Sequence, residues 1–306
     1  MLILDFFLTV LYNVCIKLKG TQEMDKEWSV VIKPKTGLFD LKLRELWQYR
    51  DLIFMFLKRN FNSAYKQTIL GPLWFFITPL LSSSIHTIVF GKIANISTDG
   101  VPQFLFYLCS NTAWGYFSSC LTATSGTFTG NAGLFGKVYF PRLVTPVTSV
   151  IYALLSFFIQ LFILAIAMAI FAFKGIVIVP GVSIVYMPLL ILQMALLGLG
   201  MGIIISSVTT KYRDLSILVG FGMQLWMYAT PVVYPLSQVS RMSSSLGKIV
   251  MLNPVAPIIN NFRNIILGCG SFDYKYWGIS WIVTIVVLFI GIVIFNRVEK
   301  TFMDTV

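Results

Sequence analysis

The chain has 306 residues, of which 57% are hydrophobic and only 11% charged, with a mean hydropathy of +0.82. Soluble domains carry about 25% charged residues, so this composition excludes an ordinary soluble protein. The net charge of +11 would point to nucleic acid in a soluble chain. Here it reads as basic loops beside anionic lipid, and no nucleic-acid partner is expected.

Residues 1–16 (MLILDFFLTVLYNVCI) have the length of a signal peptide but not its parts. A basic n-region is absent, Asp5 interrupts the apolar run, and no small-x-small cleavage site follows. Met24 offers an alternative start, so residues 1–23 read as an upstream extension or an interfacial segment. They sit within an N-terminal segment, 1–40, that is expected in the cytoplasm.

Residues 41–71 form the next unit. Leu43, Leu46, Trp47, Ile53, Phe54, Leu57 and Phe61 recur at helical spacing, with Arg44, Arg50, Lys58, Arg59 and Lys66 on the remaining positions. Such an amphipathic helix lies in the membrane interface, with Trp47, Arg50, Phe54, Lys58 and Arg59 as its candidate interfacial residues. Gly71-Pro72 breaks the chain after it.

Six long apolar stretches follow in region 72–306: Pro72 to Phe90, Gln103 to Thr124, Val144 to Phe173, Val182 to Val208, Leu215 to Tyr234 and Gly278 to Phe295. None contains Asp, Glu, Lys or Arg. A bilayer core of ~30 Å needs about 20 apolar helical residues. The expected fold is therefore an all-α integral membrane protein with six transmembrane helices. Apart from the lone His86, no span holds an ionisable acid or base of the kind that proton- or sodium-driven carriers keep, so the energy for any transport is expected from elsewhere.

The connections differ in character. Loop 125–142 begins polar and Gly-rich (SGTFTGNAGLFG) and continues KVYFPR, long enough for a short helix across the end of the bundle. Gly198 and Gly202 form a GxxxG pair, which lets helices approach closely and is expected to pack within the chain. Segment 231–277 carries Pro231, Pro235, Pro254 and Pro257 between apolar runs too short to span. Re-entrant or interfacial hairpins fit it, because irregular backbone at membrane depth must be buried or line a wet cavity.

Six spans put both termini on one side. That side collects seventeen Lys and Arg residues, against six on the other. The positive-inside rule then places both termini in the cytoplasm and segment 231–277 outside.

Catalytic signatures are missing from the sequence. The pairs Gly91-Lys92, Gly136-Lys137 and Gly247-Lys248 lack the upstream glycine and the following hydroxyl of a phosphate-cradling loop. Cys15, Cys109, Cys120 and Cys269 form no CxxC pair, so no metal site is expected and packing roles are. His86, beside Ser82, Ser83 and Ser84, is expected in a hydrogen-bonded packing role. What the chain has in quantity is aromatic surface, at 15% Phe, Trp and Tyr. Phe104 and Tyr107 near one end of the second span, and Trp226, Tyr228 and Tyr234 at the end of the fifth, are candidates for stacking on sugar rings. Interfacial anchoring is the competing role for each.

The segments LWQYRDLIFMFLKRNFNSAYKQTILGPLWFFITPLL (46–81), FGKVYFPRLVTPV (135–147), TTKYRDL (209–215), MYATPVVYPLS (227–237), LNPVAP (252–257) and NRVEKTFMDTV (296–306) run collinearly. Through them the chain resembles the membrane subunits of bacterial ATP-binding-cassette exporters of O-antigen, capsule and teichoic-acid polysaccharides. The resemblance implies a homodimer in the bacterial cytoplasmic (inner) membrane with two separate ATPase subunits, which bind the ATP and Mg. This chain would hold no cofactor and would not be an enzyme. Loop 125–142 would be the coupling element, with Asn131, Leu134, Phe135, Lys137 and Tyr139 toward the ATPase. Region 231–277 would form external gate helices. Lipid-linked polysaccharide would pass between the two subunits along an aromatic path. An exporter of a small amphipathic molecule or drug shares the six-span plan and is the alternative. A membrane glycosyltransferase would need acid pairs, whereas Asp99 and Asp273 are isolated.

Overall fold

The computed structural model describes residues 43–65, 71–135, 137–138, 140–176, 182–210, 212 and 214–305. The N-terminal segment 1–40, residues 66–70 and Tyr139 lie outside them, as do the expectations attached to them. The described residues contain helices and no strand.

The expected interfacial helix comes in two pieces, α1 (Leu43–Gln48) and α2 (Arg50–Tyr65), joined at Tyr49. A 3₁₀ turn at Gly71–Leu73 leads into α3 (Trp74–His86), which continues as a π-helical segment, Thr87–Ile93. Next come α4 (Gln103–Ser125), the short α5 (Thr127–Phe135) and the long α6 (Val144–Phe173). A 3₁₀ turn at Val182–Tyr186 opens α7 (Met187–Thr209), and α8 (Leu215–Ala229) follows. Three short helices, α9 (Leu236–Met242), α10 (Ser244–Leu252) and α11 (Val255–Leu267), precede the terminal α12 (Tyr274–Thr305).

Among the described residues, four helical stretches are long and apolar enough to cross a bilayer: Trp74–Ile93, Val144–Phe173, Ser183–Thr209 and Tyr274–Val298. Their outer faces are apolar and exposed, as at Ile85 and Ile88, Phe158 and Phe162, Ile282 and Phe289. Lipid satisfies such faces, so apolar residues point both outward and inward.

The helix α4 is the centre of the bundle. It is more polar than its neighbours yet mostly buried. The hydroxyls of Ser110 and Thr112 donate to the carbonyls of Phe106 and Leu108 one turn back. Such bonds let small polar side chains sit in an apolar core at low cost.

Glycines set how closely α7 approaches. A methyl group on Gly202 would lie 2.5 Å from Cβ of Thr124, and one on Gly198 would lie 2.7 Å from Cβ of Cys120. On the other side of α7, a methyl on Gly200 would meet Cα of Leu288 in α12 at 2.9 Å. The GxxxG pair therefore seats α7 against α4 within one chain.

The fifth apolar stretch departs from the expected span. Its helix α8 stops at Ala229, and Thr230 is extended (φ −107, ψ 145). Pro231 disfavours helical backbone at the residue before it. Residues 230–233 continue as buried, non-helical chain. At 1.5 Å per residue, α8 is about 22 Å long, short of a ~30 Å hydrocarbon core.

Candidate functional site

Two clusters gather the candidate residues, one at each end of the bundle. The first surrounds the start of α4. Pro254 and Asn253 of the LNPVAP motif lie between α10 and α11. Asn253 accepts the indole N–H of Trp226 at 3.1 Å and the Val255 amide at 3.2 Å, and its Nδ2 donates to the Thr230 hydroxyl at 2.8 Å. Trp226 also packs edge-on against Phe117 and Trp114 of α4, with ring centroids 5.3 and 6.2 Å away. A second knot lies beside it. Trp277 donates to Oε1 of buried Gln193, whose Nε2 donates to the Ser280 hydroxyl, and that hydroxyl donates to the Pro254 carbonyl.

Helix α11 is buried along nearly its whole length. Its asparagines hold the following turn: Asn260 donates to the Ser271 carbonyl, Asn264 to the Gly270 carbonyl, and Asn261 accepts the Asp273 amide. Gly268 ends the helix in left-handed conformation (φ 66), which glycine adopts without a steric penalty. Arg263 is only 2% exposed. Its guanidinium lies 4.4 Å over the Phe106 ring, and Nη1 donates to the Ser110 hydroxyl at 3.5 Å and the Tyr234 carbonyl at 3.4 Å. Burial presses its pKa below the ordinary value, while Cys269, Cys109, Asp99 and Tyr234 hold it up. Arginine keeps its proton even so.

The structure separates the five candidate path aromatics by exposure. Tyr228 is 45% exposed, while Phe104, Trp226 and Tyr234 are half-buried. Tyr107 is fully buried. Phe90, which the sequence did not single out, connects them: its ring lies 6.3 Å from Tyr228 and 6.5 Å from Tyr107.

The second cluster lies around α5. Phe128 stacks on Phe295 of α12 at 4.8 Å, Phe135 meets Phe140 at 5.5 Å, and Phe140 meets Phe56 of α2 at 5.7 Å. Arg142 lies over the Phe135 ring at 5.7 Å, and Arg59 over Phe56 at 4.7 Å. The Phe128 amide donates to the Ser206 hydroxyl of α7 at 3.2 Å. One aromatic seam thus joins α2, α5 and the long helix α12, and the Ser206 hydroxyl ties it to α7. Phe135 is buried in that seam, so its ring is a packing element rather than a docking surface. Lys137 is exposed, Asn131 and Leu134 are half-buried, and Asn131 donates to the Thr127 carbonyl. In the interfacial helix, Trp47 is exposed with Arg50 5.7 Å over its ring, Phe54 is half-buried, and Lys58 and Arg59 are exposed. Phe56 and Leu57 supply the buried face. Of these, Phe56 was missed because it lies outside the helical stripe read from spacing.

The sequence profile of the ABC-2 type transporter family matches residues 51–267. The chain belongs to that family. It is similar to the O-antigen export system permease protein RfbA of Klebsiella pneumoniae, at 26% identity over 256 residues, covering 83% of this chain and 94% of the relative. It is similar also to the protein of that name from Myxococcus xanthus, at 26% over 265 residues, 86% of this chain and 98% of the relative. As an ABC-2 protein, the chain is a multi-pass membrane transport subunit, and an ABC ATPase is the implied partner. The matched stretch runs from α2 to the end of α11 and holds most of both clusters, while Trp277, Ser280 and Phe295 lie beyond it.

Proposed function

We propose that this chain is the permease of an ATP-driven ABC exporter that moves lipid-linked, O-antigen-like polysaccharide across the bacterial cytoplasmic membrane. The observation that carries this reading is the likeness to O-antigen export permeases across 83–86% of the chain. The absence of ionised residues from all six apolar stretches supports it, since a proton- or sodium-driven cycle would use one.

In this reading the chain crosses the membrane six times, with both termini cytoplasmic, and works as a homodimer with two ATPase subunits. The partner binds ATP and Mg. The α5 loop, with Asn131, Leu134, Lys137 and Tyr139 toward the ATPase and Phe135 as internal anchor, receives the nucleotide-driven stroke. The aromatic seam passes it to α2 and α12. The helices α9 to α11 form the external gate. Phe104, Tyr107, Trp226, Tyr228 and Tyr234 belong to the polymer path, where stacking on sugar faces allows sliding that salt bridges would arrest. Trp47, Arg50, Phe54, Lys58 and Arg59 anchor the interfacial helix to lipid.

Disrupting the gene in its host tests the reading. Surface polysaccharide should disappear while lipid-linked polymer accumulates inside. Intact surface polysaccharide together with raised sensitivity to small amphipathic drugs would replace it with the drug-exporter alternative.

A further inference from the structure

Three buried polar atoms that make no well-formed hydrogen bond among the described residues belong to neighbouring side chains: Nδ1 of His86, the hydroxyl of Tyr107 and Oδ1 of Asn111. His86 and Asn111 lie close enough to interact with each other, which leaves the Tyr107 hydroxyl as the atom with no protein group among the described residues to meet it. His86 and Tyr107 meet edge to face, with ring centroids 6.1 Å apart. Asn111 lies one turn beyond Tyr107 on α4, and its Nδ2 donates to the Ser83 hydroxyl of α3 at 3.1 Å. The cluster therefore fills the seam between α3 and α4, where the first of these turns π-helical at Thr87. Such segments often mark functional sites. Buried polar groups are normally paired, and an orphan in such a cluster calls for an explanation.

The chemistry of the cluster limits what satisfies it. A tyrosine hydroxyl donates and accepts, an amide oxygen accepts, and a neutral imidazole nitrogen does one or the other. No charged side chain belongs to the cluster, so it matches neutral hydroxyl groups rather than an anion or a cation. Its position gives access to the candidate path. The Phe90 ring lies 5.7 Å from His86, 6.5 Å from Tyr107 and 6.3 Å from exposed Tyr228. Phe90 is thus the ring that the cluster and the exposed Tyr228 have in common.

We propose that His86, Tyr107 and Asn111 form a hydroxyl-binding station for the sugar units of the exported polymer, covered by Phe90. This rests on the polysaccharide reading above and adds to it a site that grips by neutral hydrogen bonds. It also revises the packing role expected for His86.

The variant Tyr107→Phe removes the orphaned hydroxyl and keeps the ring, and His86→Phe replaces both imidazole nitrogens with a ring that cannot hydrogen-bond. The complex with the ATPase, in lipid nanodiscs, is titrated with lipid-linked polysaccharide extracted from an exporter-deficient strain, and stimulated ATP hydrolysis is read. Each variant should raise the half-saturating polymer concentration about three- to tenfold, the range of one neutral hydrogen bond. For Tyr107→Phe the melting temperature should hold or rise, because an unsatisfied buried hydroxyl is being removed. An unchanged half-saturation, or a lowered melting temperature with unchanged half-saturation, would overturn the station and leave a purely structural cluster. If the wild-type complex does not respond to polysaccharide at all, the polysaccharide reading falls first and the station with it.

Discussion

The indole N–H of Trp226 donates to Oδ1 of Asn253 across 3.1 Å, tying the last helical turn of α8 to the loop before α11. Asn253 serves three groups at once, since it also accepts the Val255 amide and donates to Thr230. It is the point where the short helices and the candidate aromatic Trp226 share one hydrogen-bond network.

Two substitutions there should differ. Trp226→Phe removes one donor and leaves Asn253 with its other partners, at a cost of about 1 kcal/mol. Asn253→Leu strands the Trp226 indole and the Val255 amide together, while the Thr230 hydroxyl keeps its bond to the Trp226 carbonyl, and should cost about 3 kcal/mol or more. Thermal unfolding in detergent compares them. Equal losses would mean that the network does not hold the junction.

A helix-packing prediction follows from the glycines. Gly202→Leu forces a side chain into Thr124 and the Leu121 carbonyl, and should cost several kcal/mol, within the range for overpacking. Gly222→Ala has nothing within 4 Å of the added carbon and should leave the yield of folded protein unchanged. Loss of both, or of neither, would contradict the seating of α7 on α4.

In the α5 region, burial separates packing from docking. Phe135→Asp places a charge in the seam of Phe128, Phe140 and Phe56 and should lower stability by more than 3 kcal/mol. Lys137→Glu changes an exposed residue and should leave stability within about 0.5 kcal/mol. The same Lys137 variant should reduce co-purification with the ATPase. Full retention of the ATPase would remove Lys137 from the coupling surface.

Much of this arrangement was legible in the sequence, and the part that was not has a common cause. The long apolar helices, the break at Gly71-Pro72 and the short helices after Pro235 follow from charge-free length and proline placement. The inward or outward direction of each ring does not. In a membrane both the lipid face and the core are apolar, so periodicity cannot tell buried Tyr107 from exposed Tyr228. Nor does it show that Phe135 points into the bundle, or that Phe56 rather than Trp47 supplies the buried face of the interfacial helix. Arg263 was counted only as a loop cation. Its burial over Phe106 depends on α11 folding back onto α4, which no local pattern records.

The orientation has its own test. A cysteine at Ser245, which is exposed, should react with a membrane-impermeant maleimide in intact cells on a background without Cys15, Cys109, Cys120 and Cys269. Reaction only after permeabilisation would invert the topology drawn from the basic residues.

The central claim is ATP-driven export of a lipid-linked polymer by this chain with a partner ATPase, and reconstitution tests it most directly. The permease and its partner ATPase are placed in liposomes loaded on the cytoplasmic face with lipid-linked polysaccharide, and the polymer reaching the opposite face is measured with an impermeant glycosidase. Polymer should become cleavable only with both subunits and hydrolysable ATP, and Tyr228→Leu with Tyr234→Leu should slow its appearance without lowering the amount of inserted protein. Transfer that proceeds without ATP, or no transfer by a folded complex that does hydrolyse ATP, would contradict the account.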